Sequence, residues 1–142
     1  MALKKTQLLP ITTVVGVQTV GIYTAGLTAT SVGVGTTSYV KSIIMHNAGA
    51  AADHAGVGTA RVGVYIYPNT GVTDRVSGVG NSSYRILQID LAPNETSFFE
   101  SNYPLVLAPF NAIAVDVKQP DVGGAGVGTA VNFIINGDTE TP

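Results

Sequence analysis

The stretch Gly126-Val-Gly-Thr-Ala-Val-Asn-Phe-Ile-Ile-Asn136 joins a small, glycine-laced connection to an apolar run with a two-residue period. Val131, Phe133 and Ile135 fall on one face and Asn132, Ile134 and Asn136 on the other, the alternation of a β-strand. Val-Gly alternation cannot hold a helix, because glycine loses too much backbone freedom there. The same tetrapeptide, Gly-Val-Gly-Thr, also begins at Gly33 and Gly56, where it feeds Ser38–Asn47 and Ala60–Tyr67. The copies share no period, so they read as loops of one sandwich rather than the units of a solenoid.

Other segments follow the same grammar. Ile43 and Met45 alternate with Ile44 and His46 in a run apolar on both faces, as a central strand requires. Val62, Val64 and Ile66 oppose Gly63, Tyr65 and Tyr67. Leu87, Ile89 and Leu91 oppose Gln88 and Asp90, and Ile113, Val115 and Val117 oppose Ala114, Asp116 and Lys118. Shorter strands are expected at Val20–Thr24, Thr96–Glu100 and Leu105–Leu107. Turn signals separate them at Pro68-Asn-Thr-Gly71, Pro93-Asn94, Asn102-Tyr-Pro104 and Pro109-Phe-Asn111. About eight short strands and no helix predict an all-β fold: an antiparallel β-sandwich of Greek-key or jelly-roll type. Residues 1–17 read as an extended N-terminal arm and 18–142 as a single domain.

The 142 residues suit one domain that needs no covalent staples. Hydrophobic residues make up 45% and charged residues only 11%, with mean hydropathy +0.32. That charge share is about half the usual one, and no apolar stretch reaches the ~18 residues of a membrane helix. Surplus apolar surface of this kind points to burial against other protein chains. The seven basic residues are scattered, Lys4-Lys5 aside, so no footprint for a phosphate backbone exists. Neither nucleic acid nor a membrane is an expected partner. Without cysteine there is no disulfide, thiol nucleophile or thiolate metal site. The N-terminus faintly imitates a signal peptide, but Pro10, Thr12, Thr13 and Gln18 interrupt its apolar region.

Chemistry-bearing residues are few. His46, Asp53 and His54 carry ligand atoms for a metal, but they lack the four compact ligands of structural zinc. They read as a strand-end histidine and a loop pair. Glu95 and Glu100 are five residues apart on a short strand, hence on opposite faces. Asp90 and Asp116 occupy outward positions of separate strands, where a sheet could make them neighbours; a glycosidase would need such a pair in a cleft. No Gly-x-Ser-x-Gly elbow is present, and the Gly-Val-Gly-Thr tracts lead into strands without a following lysine, unlike a phosphate loop. Tyr65 and Tyr67 share a face suited to sheet packing, subunit contact or a sugar platform. Phe98, Phe99 and Tyr103 read as the core and rim of a sandwich edge. The loops at Thr70–Ser83 and Asp121–Gly128 have most room for function. Catalytic, cofactor and metal residues are therefore expected to be none.

Five segments together resemble a small β-sandwich of tailed-bacteriophage virion proteins. They are Tyr39-Val-Lys-Ser-Ile-Ile-Met-His-Asn47, Val62-Gly-Val-Tyr-Ile-Tyr67, Leu91-Ala-Pro-Asn-Glu-Thr96, Pro104–Asp116 and Val131–Gly137. The glycine-valine tracts look like insertions in structural proteins of marine cyanobacterial phages. Pro109-Phe110-Asn111 departs from the pattern, which more often has a glycine-aspartate turn. The resemblance implies a virion location and no enzyme: a capsid decoration (cement) protein, or a tail, neck or fibre-attachment module. Its implied partners are copies of itself, a trimer being favoured, and other virion proteins such as the major capsid protein. In the decoration reading residues 1–17 would act as a clamp. The competing expectation is a carbohydrate- or receptor-binding module using Tyr65, Tyr67 and the Thr70–Ser83 loop.

Overall fold

The computed structural model describes residues 2–15, 19–26, 36–50, 59–68, 84–118 and 129–141. They form eight strands: β1 (Ala2–Val15), β2 (Val20–Thr24), β3 (Thr37–Ala50), β4 (Ala60–Tyr67), β5 (Arg85–Leu91), β6 (Thr96–Leu107), β7 (Ala112–Lys118) and β8 (Thr129–Thr141). Two four-stranded sheets result, ordered β1-β8-β3-β6 and β2-β7-β4-β5, and every pairing is antiparallel. β1 lies beside β8, β2 beside β7, β3 beside β6 and β4 beside β5. That is one long hairpin rolled up on itself, the eight-stranded jelly roll. The sandwich expected from the alternating runs is therefore present.

The apolar half of each alternation fills the space between the sheets. Val40, Ile43, Met45, Val131, Phe133 and Ile135 from the first sheet meet Val62, Val64, Ile113, Val115 and Val117 from the second, all fully buried. Burial of this kind contributes about 1.5–3 kcal/mol per large side chain before the entropy of ordering is subtracted. The half-buried Tyr23 packs against this core, and its hydroxyl is 2.7 Å from the Oγ of buried Ser38, which gives that hydroxyl a partner.

Two turns of the same build stand at the two ends of β6, one before it and one after it. In Ala92-Pro-Asn-Glu95 the Glu95 N–H donates to the Ala92 carbonyl at 3.0 Å, and Asn94 has φ 63°. In Ala108-Pro-Phe-Asn111 the Asn111 N–H donates to the Ala108 carbonyl at 3.0 Å, and Phe110 has φ 67°. Proline at the second position and positive φ at the third define type II turns. Buried Asn47 ties β3 to the first: its Nδ2 donates to the Leu91 carbonyl, its N–H to the Glu95 carbonyl, and its carbonyl accepts from the Asn94 N–H. Ala25 ties the chain beyond β2 to the second turn, through its carbonyl to the Phe110 N–H and its N–H to the Asn111 carbonyl.

Two expectations are corrected. Residues 2–15 of the supposed arm are the edge strand β1, paired with β8 from Ala2↔Thr141 to Val15↔Ala130 and burying Val14 in the core. Pro10 is tolerated because β1 is an edge and its register shifts there, between Leu9 and Thr12. Asn102-Tyr-Pro104 does not separate two strands either; it lies within β6. The register passes from Ser42↔Glu100 to Val40↔Leu105, so the extra residues 101–104 oppose Lys41 in a bulge.

Candidate functional site

The two sheets treat their outer faces differently. On the short sheet, Tyr65 and Tyr67 from β4 are buried with Ala112 and Ala114 from β7. Beside them the Asp116 carboxylate is only 6% exposed. Its Oδ1 accepts the Gly63 N–H at 3.0 Å, its Oδ2 accepts the Tyr65 hydroxyl at 2.7 Å, and the Lys118 Nζ lies 3.6 Å from Oδ2. Gly63 is required there, because a Cβ at that position would collide with the Asp116 Oδ1. Burial, the hydrogen bond to Asp116 and the charge of Asp116 push the Tyr65 hydroxyl up to about 12, while Arg85 acts in the opposite direction. The Tyr67 ring packs against Tyr65 and Tyr84 at centroid distances of 6.3 and 5.0 Å. Tyr65 and Tyr67 thus serve packing: their flat faces are occupied, and the polar tip of Tyr65 is consumed by Asp116.

The remaining sequence candidates are dispersed. Asp90 takes a two-pronged contact from Arg61 at 2.8 and 3.1 Å, and that guanidinium holds its carboxyl below the usual range. Asp90 on β5 and Asp116 on β7 pair with β4 from its two opposite sides, so they form no dyad. Glu100 lies across from Ser42, and Glu95 lies in the turn before β6. The His46 Nδ1 is 2.7 Å from the Thr96 hydroxyl. No cluster of three potential metal ligands occurs among the described residues. Asp53, His54, the Thr70–Ser83 loop and the Asp121–Gly128 loop lie outside those residues. Asn136-Gly-Asp138, which reads in the sequence as a terminal turn, lies within β8, and its buried Asp138 accepts from the Lys41 Nζ at 3.0 Å. Lys41 is the bulge residue of β3, a displacement with no signal in the alternation.

On the long sheet the outer face carries rows that run across the strands. The register aligns Phe98 on β6 with Ile44 on β3 and Ile134 on β8. The row ends in the β1 bulge, where Ile11 is 66% exposed; Phe98 at the other end is 59% exposed. One polar row, Thr96–His46–Asn132–Thr13, flanks it on one side, with Thr13 donating to the Asn132 Oδ1 at 2.6 Å. On the other side lies Glu100–Ser42–Asn136–Gln7. Further along β6, Tyr103 and Val106 are exposed too. A greasy stripe between polar rails is suited to lying against another flat surface.

No known protein-family profile matches the chain, and no curated protein sequence does either. Among solved structures the chain aligns with one described as the structure of infectious bursal disease virus Gx strain. Identity is 10% and the TM-score 0.24, over 99% of this chain and 42% of that one. The chain thus spans less than half the length of that neighbour, and an overlap so slight carries no conclusion about function.

Proposed function

We propose that this chain is a non-enzymatic structural protein of a phage virion, a capsid decoration protein that stabilises the assembled shell by subunit contacts. The observation that carries the reading is the outer face of the long sheet, where Phe98, Ile44, Ile134 and Ile11 form an apolar row on a rigid jelly roll. The low charge content of the whole chain fits the same picture. So does the engagement of Asp90, Asp116 and Asp138 in ion pairs, since carboxylates bound to cations are poorly placed for acid–base work. The sequence resemblance to phage virion sandwiches supports the location. The clamp assigned to residues 1–17 drops out of the proposal: β1 is part of the sheet, so contact must come through faces and tips.

Quantitative mass spectrometry of purified virus particles from the source of this sequence tests the reading. A decoration protein should be present in copy number comparable to the shell protein. A few copies per particle would move it to the tail, neck or fibre, and absence from particles would sink the virion reading.

A further inference from the structure

We propose that the outer face of the long sheet is a two-fold contact between two copies of this chain, with the axis running along the Phe98–Ile44–Ile134 row. The inference deepens the reading above by naming one partner. It rests on that reading only for the expectation that copies meet.

Area is the first argument. β1, β3, β6 and β8 run 14, 14, 12 and 13 residues, against 5, 8, 7 and 7 for β2, β4, β5 and β7. At ~3.3 Å per residue and ~4.8 Å between strands, the long sheet offers a footprint of roughly 800 Å² and the short sheet about half that. A stable interface takes about 800 Å² from each partner, so only the long sheet is large enough.

The pattern is the second argument. A two-fold axis along the apolar row returns that row onto itself, so Phe98 and Ile44 meet their own counterparts. It also lays each polar row on the opposite polar row of the other copy. Glu100 then sits over Thr96 of the second copy, whose hydroxyl is already joined to His46. An acid faces a hydroxyl and an imidazole, and Ser42 faces His46. Aligned sheet packing of this kind needs only a small rotation to match the twist of the two sheets.

The edges argue against side-by-side pairing instead. β1 carries Pro10 and two register shifts, and β6 carries Glu100, Pro104 and the extra residues 101–104. Bulges, proline and charge are how edge strands avoid extension. Of the long sheet's surfaces, the face is the one left open to association. A contact of this kind closes at two copies, so the trimer expected from the sequence would need another surface.

Sedimentation of the purified full chain, with no particle present, tests the contact separately from the virion reading. Wild type should be a reversible dimer in the micromolar range. Phe98→Glu should raise the dissociation constant by at least ~100-fold, because the two introduced carboxylates would face each other across the axis. Ile86→Glu, on the exposed part of β5, should leave it unchanged. Thr96→Glu should weaken the dimer about tenfold by facing Glu100 with a like charge, and Thr96→Glu combined with Glu100→Lys should restore it. A monomer at ~100 μM, a dimer indifferent to Phe98→Glu, equal loss with Ile86→Glu, or no rescue by the double variant would each overturn the proposal.

Discussion

The long and short sheets share one core but end differently on the outside. The short sheet buries its outer tyrosines and fastens them with Asp116, so its polar groups are spent on its own strands. The long sheet keeps its outer polar groups in rails at the surface and leaves Phe98 and Ile11 open to solvent. The contrast teaches where stability and where contact reside. Substitutions on the outside of the short sheet should cost folding energy, and those on the outside of the long sheet should cost association.

Asp116→Ala should give the largest loss, about 4 kcal/mol, since the Gly63 N–H and the Tyr65 hydroxyl would both lose their acceptor in a buried place. Urea unfolding of a dilute sample reads this directly. A loss under ~1 kcal/mol would mean the cluster is ordinary surface, and the difference between the faces would vanish. Next comes Gly137→Ala on β8, at about 3 kcal/mol. Its Cβ would run into the Tyr39 carbonyl, a backbone atom held in the sheet, and the Leu8 Cδ1 lies 3.0 Å away. That residue checks the comparison from the other side, because the centre of the long sheet must be as unforgiving as the short one.

Tyr65→Phe should cost about 1 kcal/mol at neutral pH, the value of one hydrogen bond. It also carries a pH signature. The Tyr65 hydroxyl is raised from 10.0 to about 12 in the folded chain, so folding favours the protonated form. Stability from this group is complete below pH 10 and is lost as pH climbs from 10 towards 12. Thermal unfolding followed between pH 9 and 12 should show a slope in wild type that is reduced in Tyr65→Phe. Equal slopes would place the alkaline sensitivity elsewhere.

Much of this fold was legible because period-two alternation reports burial directly. Val62, Val64, Leu87, Leu91, Ile113, Val115, Phe133 and Ile135 all face the core as their spacing implies. The turns at Pro93 and Pro109 were also legible, because proline fixes its own φ. What alternation could not report was pairing. β1 reads as an arm because Thr12, Thr13 and Pro10 blur its period, and only the neighbouring β8 makes it a strand. Pro104 reads as a break because the bulge that accommodates it depends on Lys41 of another strand. For the site, the face shared by Tyr65 and Tyr67 was visible. The burial of Asp116 was not, since it depends on Gly63 lying opposite with no side chain in the way. The apolar row was invisible for the same reason: Phe98, Ile44 and Ile134 are outward residues in three separate strands, and only register aligns them.

The smallest expected effect is the most telling. Phe98→Glu should leave the stability of the isolated monomer within ~0.5 kcal/mol of wild type, because the ring sits at an exposed edge position and a surface exchange there removes little buried area. Unfolding must be followed under dilute conditions, where any dimer has dissociated, since association would otherwise add to apparent stability. If the variant unfolds several kcal/mol earlier, Phe98 belongs to the packing of its own sandwich, and the long sheet is no freer than the short one. If stability holds while concentrated samples lose association, the ring is kept at the surface for a partner.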